Sequence, residues 1–380
     1  MSTEEHYTIQ DEEIEMEDTS SGQDKIITHP FNPNDVEIVT PPFSIGFLID
    51  KIEHNEINMY TDFQRKENLW DQQEQSRLIE SILLGLPLPA FYFDAANEQW
   101  DIIDGLQRCC TIENFCVKKT LKLKGLEFLA KKNETTYLEG LGFDDLDRAL
   151  QRSIITHPIT VNCIKKAPRN IRFILFKRLN TGGLKLNAQE IRNAVYQGAA
   201  TDVVNRLAKL SEFTQATEKK IPTNRMQDRD FVSRFIAFYL IDYSEYQPGL
   251  DDFINRSMEL LEKKDEQSIL SIENDFRKAL KLAKKIFGND AFRKRTKINS
   301  PRCPINKAYF EVITVSFAKL SEEDEKLLLE NKDKFKNKLI ELMKNNKYSN
   351  ALSRATGTKA SVNTRFSEFK NKLMEIIDTK

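Results

Sequence analysis

Histidine is nearly missing from this chain: there are four, at positions 6, 29, 54 and 157, in 380 residues. None sits near a second one, so H-E-x-x-H and related paired-histidine metal sites are excluded. The phosphate-binding G-x-x-x-x-G-K-[ST] and G-x-G-x-x-G patterns are also absent, which removes the P-loop enzymes and the Rossmann dinucleotide binders. Cysteine is sparse. Five residues, an odd number with no C-x-x-C, make no disulfide framework, and reduced cytoplasmic thiols are the expectation. Long apolar runs are lacking too. The longest, Phe235–Ile241, is far too short to span a bilayer, and the acidic N-terminus shows no secretion signal.

What the chain does have is charge, and it is unevenly placed. Residues 1–40 hold eleven Asp and Glu against one Lys, a net −10, so the remainder carries +9. The first thirty or so residues lack apolar periodicity and read as a disordered, solubilising tail, so deleting residues 1–30 leaves thermal stability unchanged. A tail masking a basic groove is the alternative. The positive body suits nucleotides or nucleic acid. Its densest basic run is Phe292-Arg-Lys-Arg-Thr-Lys297, after Lys278, Lys281, Lys284 and Lys285. Lys285, Arg293, Lys294, Arg295 and Lys297 are the candidate DNA contacts, although a solvated helix face explains them as well.

The chain is organised around Trp100-Asp-Ile-Ile-Asp-Gly-Leu-Gln-Arg108. A short apolar run breaks at Asp104-Gly105 and resumes with helical spacing, which predicts strand, tight turn, helix. Gly105 supplies the positive φ such a turn often needs. The first helical turn then offers free N–H groups and the positive end of the helix dipole, a setting that favours phosphate. Arg108 adds a guanidinium fork. Asp104 would hold a ribose hydroxyl, a metal ion or Arg108 itself. A plain surface turn is the competing reading. On the phosphate-binding reading Arg108 sits in the turn and not in a core, so Arg108→Ala weakens binding of the phosphate ligand while leaving the fold intact.

Around that turn the order reads helix (43–52), strand (from 57), helix (75–84), hairpin (90–103) and helix, then strand (158–164) and helix (170–179). Asn187 with Glu190 fits a capping box. Helices follow over 203–210, 230–243, 250–261, 272–287, 307–320, 324–342 and 362–377. The expected class is α+β: a tail at 1–40, an α/β domain at 41–198 and a helical domain at 199–380.

Several ordered motifs carry a resemblance. Phe63-Gln64-Arg65, Trp70, Leu78–Leu83 with Pro87-Leu-Pro89, Ile103–Arg108, Phe176–Gly183, Leu186–Asn193 and Arg225–Phe231 together resemble the N-terminal half of GmrSD-type modification-dependent restriction enzymes. The likeness covers roughly residues 40–260. It implies a ParB/sulfiredoxin-like core and a nucleotide-binding, nucleotide-hydrolysing Asp-Gly-x-Gln-Arg motif. Here that motif is Asp104, Gly105, Gln107 and Arg108, with Leu106 where the family has Gln. Asp104, Gln107 and Arg108 are the candidate catalytic residues, with Asp104 also on Mg²⁺. Gln64, Arg65, Gly105, Arg178, Asn180, Gly182, Gly183 and Arg192 are the candidate nucleotide contacts. The histidine-metal nuclease domain that fused relatives carry is not evident.

The expectation is a cytoplasmic protein of a restriction-like or phage-defence system that binds a nucleoside triphosphate with Mg²⁺. Its nuclease would be a separate subunit, DNA a further partner, and no membrane is involved. Whether hydrolysis follows depends on what Leu106 does. Two alternatives stand beside it: a DNA-binding or weakly DNA-cleaving protein without triphosphate turnover, and a non-catalytic regulatory partner.

Overall fold

The computed structural model describes residues 14–17, 33–59, 70–130, 138–179, 186–297 and 301–378. It divides into two units, His29–Val195, and Met1–Thr28 together with Tyr196–Lys380. The class is α+β, as expected.

In the first unit the strands are β1 (Glu37–Val39), β2 (Pro42–Ser44), β3 (Ile57–Asn58), β4 (Phe91–Asp94), β5 (Trp100–Asp104) and β6 (Pro158–Lys166). They form one mixed sheet in the order β1-β6-β4-β5-β3, with β2 on β6. The expected hairpin is present: β4 and β5 run antiparallel, with Phe93 opposite Ile102. β6 lies parallel to β4 and antiparallel to β1 and β2. Its alternation buries Ile159, Val161 and Cys163, as the period-2 pattern demands. The unit's helices are α1 (Ile45–Glu53), α2 (Gln72–Leu83), α3 (Leu106–Ile112), α4 (Arg148–Thr156), α5 (Arg169–Leu179) and α6 (Ala188–Val195). α2 starts three residues before the apolar stripe suggests, because Asp71 and Glu74 make a capping box. The box at Asn187 and Glu190 forms as expected: the Asn187 amide donates to Glu190 Oε2 at 2.7 Å, and the Glu190 amide to Asn187 Oδ1 at 2.9 Å. Ile79, Ile82, Phe91, Phe93, Ile102, Cys109, Ile112 and Phe115 fill the core beside β5.

The second unit holds helices α7 (Ala199–Ala208), α8 (Ser211–Ala216), α9 (Gln227–Leu240), α10 (Leu250–Glu262) and α11 (Glu266–Phe287), then α12 (Lys307–Ala318), α13 (Glu322–Glu330), α14 (Lys332–Met343), α15 (Asn346–Ser353) and α16 (Lys359–Ile377). The single helix expected over 324–342 is two, parted at Asn331, which ends α13 and starts α14. α12 is buried along nearly its whole length. Its Phe310 ring meets Phe292, Phe231 and Phe213 at centroid distances of 4.7, 5.0 and 6.0 Å. No helix among the described residues is long and apolar enough to cross a membrane.

Part of the acidic N-terminal stretch departs from the expected structureless tail. Ile14 pairs with Ile305 in a parallel bridge, and the carboxylates of Glu15 and Glu17 reach charged side chains of the helical unit. Local sequence does not show this, because the partners lie more than two hundred residues away.

Acid is expected to loosen the helical unit. Glu212 is held down at about 2 by its own backbone amide, assisted by Ser211, Lys281 and Arg277. A depressed carboxyl stabilises the fold at neutral pH, and that contribution fades as pH falls from about 4.5 toward 2. Far-UV circular dichroism melts at pH 5 and pH 3 check this: Glu212→Gln should shrink the difference between them, and an unaltered difference removes Glu212 from the effect.

Candidate functional site

The turn between β5 and α3 forms as read from the sequence. Gly105 has φ +105° and caps α3. A Cβ there would stand 2.6 Å from Phe91 Cδ1, so the residue must be glycine for space as well as for φ. α3 then widens into a π-type turn at Glu113–Val117, where the Lys118 amide donates to the Glu113 carbonyl at 2.8 Å.

Arg108 corrects one expectation. It is buried, not a surface turn residue. Nη1 donates to the carbonyls of Pro89 and Ala90, and Nη2 to the Ala90 carbonyl at 3.3 Å and to Asp104 Oδ2 at 3.0 Å. Its guanidinium carbon lies 4.4 Å from the Phe91 ring centroid. The planar fork thus ties the approach to β4 to the end of β5. Burial lifts the Asp104 carboxyl above its ordinary range despite Arg108, and burial lowers Arg108 in turn. Of the three roles open to Asp104, pairing with Arg108 is the one the geometry contains.

Gln107 faces a different partner. Its Oε1 accepts the Trp70 backbone N–H at 2.8 Å. The Trp70 carbonyl accepts from Gln75 Nε2 at 2.7 Å, and Gln75 Oε1 accepts from Asn114 at 3.1 Å. Three amide side chains therefore fix the chain at Trp70. Gln75 and Asn114 escaped sequence reasoning, although Gln75 stands on the Leu78/Ile82 stripe of α2, where a polar residue is a sign of a buried partner. Glu80 escaped as well. It is buried and accepts the backbone amides of Glu127, Phe128 and Leu129 at 3.0, 2.7 and 2.8 Å, shaping the loop after α3. Leu106 packs against the core, so the side chain at that place in the turn points inward.

The other candidates are distributed as follows. Gln64, Arg65, Asn180, Gly182 and Gly183 lie outside the described residues. Arg178 is exposed in the last turn of α5. Arg192 is fully buried in α6, with Nη1 on Gln189 Oε1 at 2.5 Å and the guanidinium 5.6 Å from the Phe173 ring. In the basic run, Lys285 and Lys297 are exposed. Arg293 is buried and donates to the Cys303 carbonyl at 2.7 Å, Lys294 meets Glu15 at 2.6 Å, and Arg295 meets Asp290 at 2.6 Å. Those three cations are already engaged within the chain.

Thiol chemistry is disfavoured here. Burial pushes the Cys109 thiol far up and Cys110 up to about 11, so neither is a thiolate at neutral pH. Among the described residues no three His, Cys, Asp or Glu side chains gather to hold a metal ion by themselves. A hard cation arriving on phosphates needs only one or two carboxylates, and the partly exposed Asp104 fits that requirement.

A family model described as the GmrSD restriction endonuclease N-terminal domain matches residues 46–197. The match ends before residue 260, the limit of the likeness read from the motifs. Comparison with curated proteins and with solved structures returns no match.

Proposed function

We propose that this chain, whose residues 46–197 belong to the family of GmrSD restriction endonuclease N-terminal domains, binds a nucleoside triphosphate with Mg²⁺ at the turn after β5. It would do so in the cytoplasm, for a restriction-like or phage-defence system whose nuclease is a separate subunit. The observation that carries this reading is Asp104-Gly105-Leu106-Gln107-Arg108 held as a glycine-cornered strand-to-helix turn within the matched segment.

In this reading the backbone amides of the first turn of α3 receive phosphate oxygens. Asp104 would hold the Mg²⁺ that arrives with the nucleotide, and the ion would offset phosphate charge. Gln107 sets the wall of the site through Trp70 and orients water beside it. Arg108 acts by positioning Asp104 and Gly105, because its fork is already occupied. Arg178, with Gln64, Arg65 and the Asn180–Gly183 segment, would supply further nucleotide contacts. The ParB-like core belongs to the same reading. Hydrolysis remains compatible with Leu106, which packs inward and removes no group from the phosphate side.

Calorimetric titration with the four ribonucleoside triphosphates, with and without Mg²⁺ and duplex DNA, tests this alongside phosphate release. Asp104→Asn keeps the acceptor for Arg108 and removes the charge. It should weaken Mg²⁺-triphosphate binding at least about tenfold, or 1.4 kcal/mol, when titrated at a temperature where the variant is shown by its own melt to be folded, since loss of the charge beside Arg108 also lowers the melting temperature. No heat from any triphosphate would overturn the reading. Steeply salt-dependent duplex binding without nucleotide would favour the DNA alternative.

A further inference from the structure

Two acidic side chains from the N-terminal segment enter the helical unit, and what receives them is more elaborate than a surface contact. The segment Ile14–Glu17 begins on an edge: Ile14 bridges Ile305 in parallel, and the Glu15 amide donates to the Ile305 carbonyl at 2.9 Å. In an extended chain alternate residues share a face. Met16 is accordingly 78% exposed, while Glu15 and Glu17 turn inward.

Glu15 accepts from Lys294 Nζ at 2.6 Å and from Asn306 Nδ2 at 3.1 Å. Glu17 takes both terminal nitrogens of Arg234 in a two-pronged pair, with Thr356 Oγ1 3.4 Å away. Arg234 is almost wholly buried. Behind it stand Glu311 at 3.6 Å and Asp230 at 3.5 Å, and these two acids also meet Arg365 and Lys307. The helical unit thus brings four cations, Arg234, Lys294, Lys307 and Arg365, against two acids of its own. Glu15 and Glu17 supply the two missing negative charges. A buried guanidinium is costly without a paired, hydrogen-bonded anion, so this cleft is shaped for carboxylates at a fixed spacing.

We propose that Arg234, Lys294, Asn306 and the Ile305 edge form a binding site for an extended acidic peptide of the pattern apolar-Glu-x-Glu, occupied by the chain's own residues 14–17 as a tethered ligand. It combines strand addition with recognition by cationic side chains. Because the segment belongs to the same chain its binding is intramolecular, so a peptide from another molecule competes only when the segment is cut or drawn away.

The test uses the full chain with a protease recognition sequence inserted at Ser20-Ser-Gly22. After cleavage, a fluorescent peptide of residues 10–20 is added and its anisotropy followed. The labelled peptide should enter, and unlabelled peptide should chase it out. Peptides carrying Glu17→Gln or Glu15→Gln should bind more than tenfold more weakly, whereas Met16→Gln, at a side chain that faces solvent, should bind normally. Because the substitutions are in the peptide, a misfolded protein cannot produce this pattern. Three results would overturn the proposal: no entry after cleavage, equal binding of a scrambled peptide of the same charge, or displacement by a short DNA duplex as readily as by the matching peptide. The last would make the cleft a phosphate site.

Discussion

Arg365→Met is expected to destabilise the helical unit by about 3–5 kcal/mol, the usual cost of stranding one member of a buried ion pair. Arg365 and Glu311 are 1% and 0% exposed, and the two are directly bonded. Arg365 Nη1 also donates to the Thr356 carbonyl at 2.6 Å, which fixes the turn before α16. Without Arg365, the cation left beside Glu311 among the described residues is Arg234, at 3.6 Å, and burial already raises the Glu311 carboxyl above the ordinary range. The double variant Arg365→Met with Glu311→Leu should lose less than the single one, since no lone charge then remains on that side. Arg234 would still hold Glu17 and Asp230. Urea unfolding followed by far-UV circular dichroism measures both. A single variant costing under about 1 kcal/mol, the range of exposed pairs, would show that water reaches this network.

The same network shows where sequence reading stops. The strand, glycine turn and helix at 100–112 were legible because each rests on neighbours: alternation, a residue able to take positive φ, and helical spacing. The boxes at Asp71 and Asn187 are similarly local, although only the second was read. Ile14–Glu17 looked like solvated tail because nothing nearby buries it, and its order comes from Arg234, Lys294 and Ile305 far along the chain. The break at Asn331 was hidden because both flanking segments keep helical spacing. Arg108 was visible as a cation beside a turn, but its direction depends on where β4 passes, which periodicity does not encode. Charged side chains are thus the poorest guide here. Their type is plain in the sequence, while whether they face water or carbonyls is decided by the tertiary fold.

That direction has a consequence for the turn itself. Arg108→Ala is expected to destabilise the sheet unit by about 3–5 kcal/mol, because it leaves a half-buried carboxylate and two carbonyl oxygens without the Arg108 donor and removes a buried, stacked side chain. The groups concerned are Asp104, Pro89 and Ala90, with the Phe91 ring losing its stacked cation. Arg108→Lys should recover only part of the loss, since an ammonium cannot serve three acceptors in one plane. Gly105→Ala probes the same corner from the other side. A left-handed alanine costs about 1–2 kcal/mol, and the contact with Phe91 adds about 1–3 kcal/mol of overpacking. The two tryptophans of the chain, Trp70 and Trp100, both lie in this unit, so their fluorescence follows its unfolding in urea. Loss of nucleotide binding in Arg108→Ala would then be judged at urea concentrations where the unit is shown to be folded. If that variant unfolds at the wild-type midpoint, the guanidinium is not what closes β4 onto β5, and a direct phosphate contact by Arg108 becomes the better account.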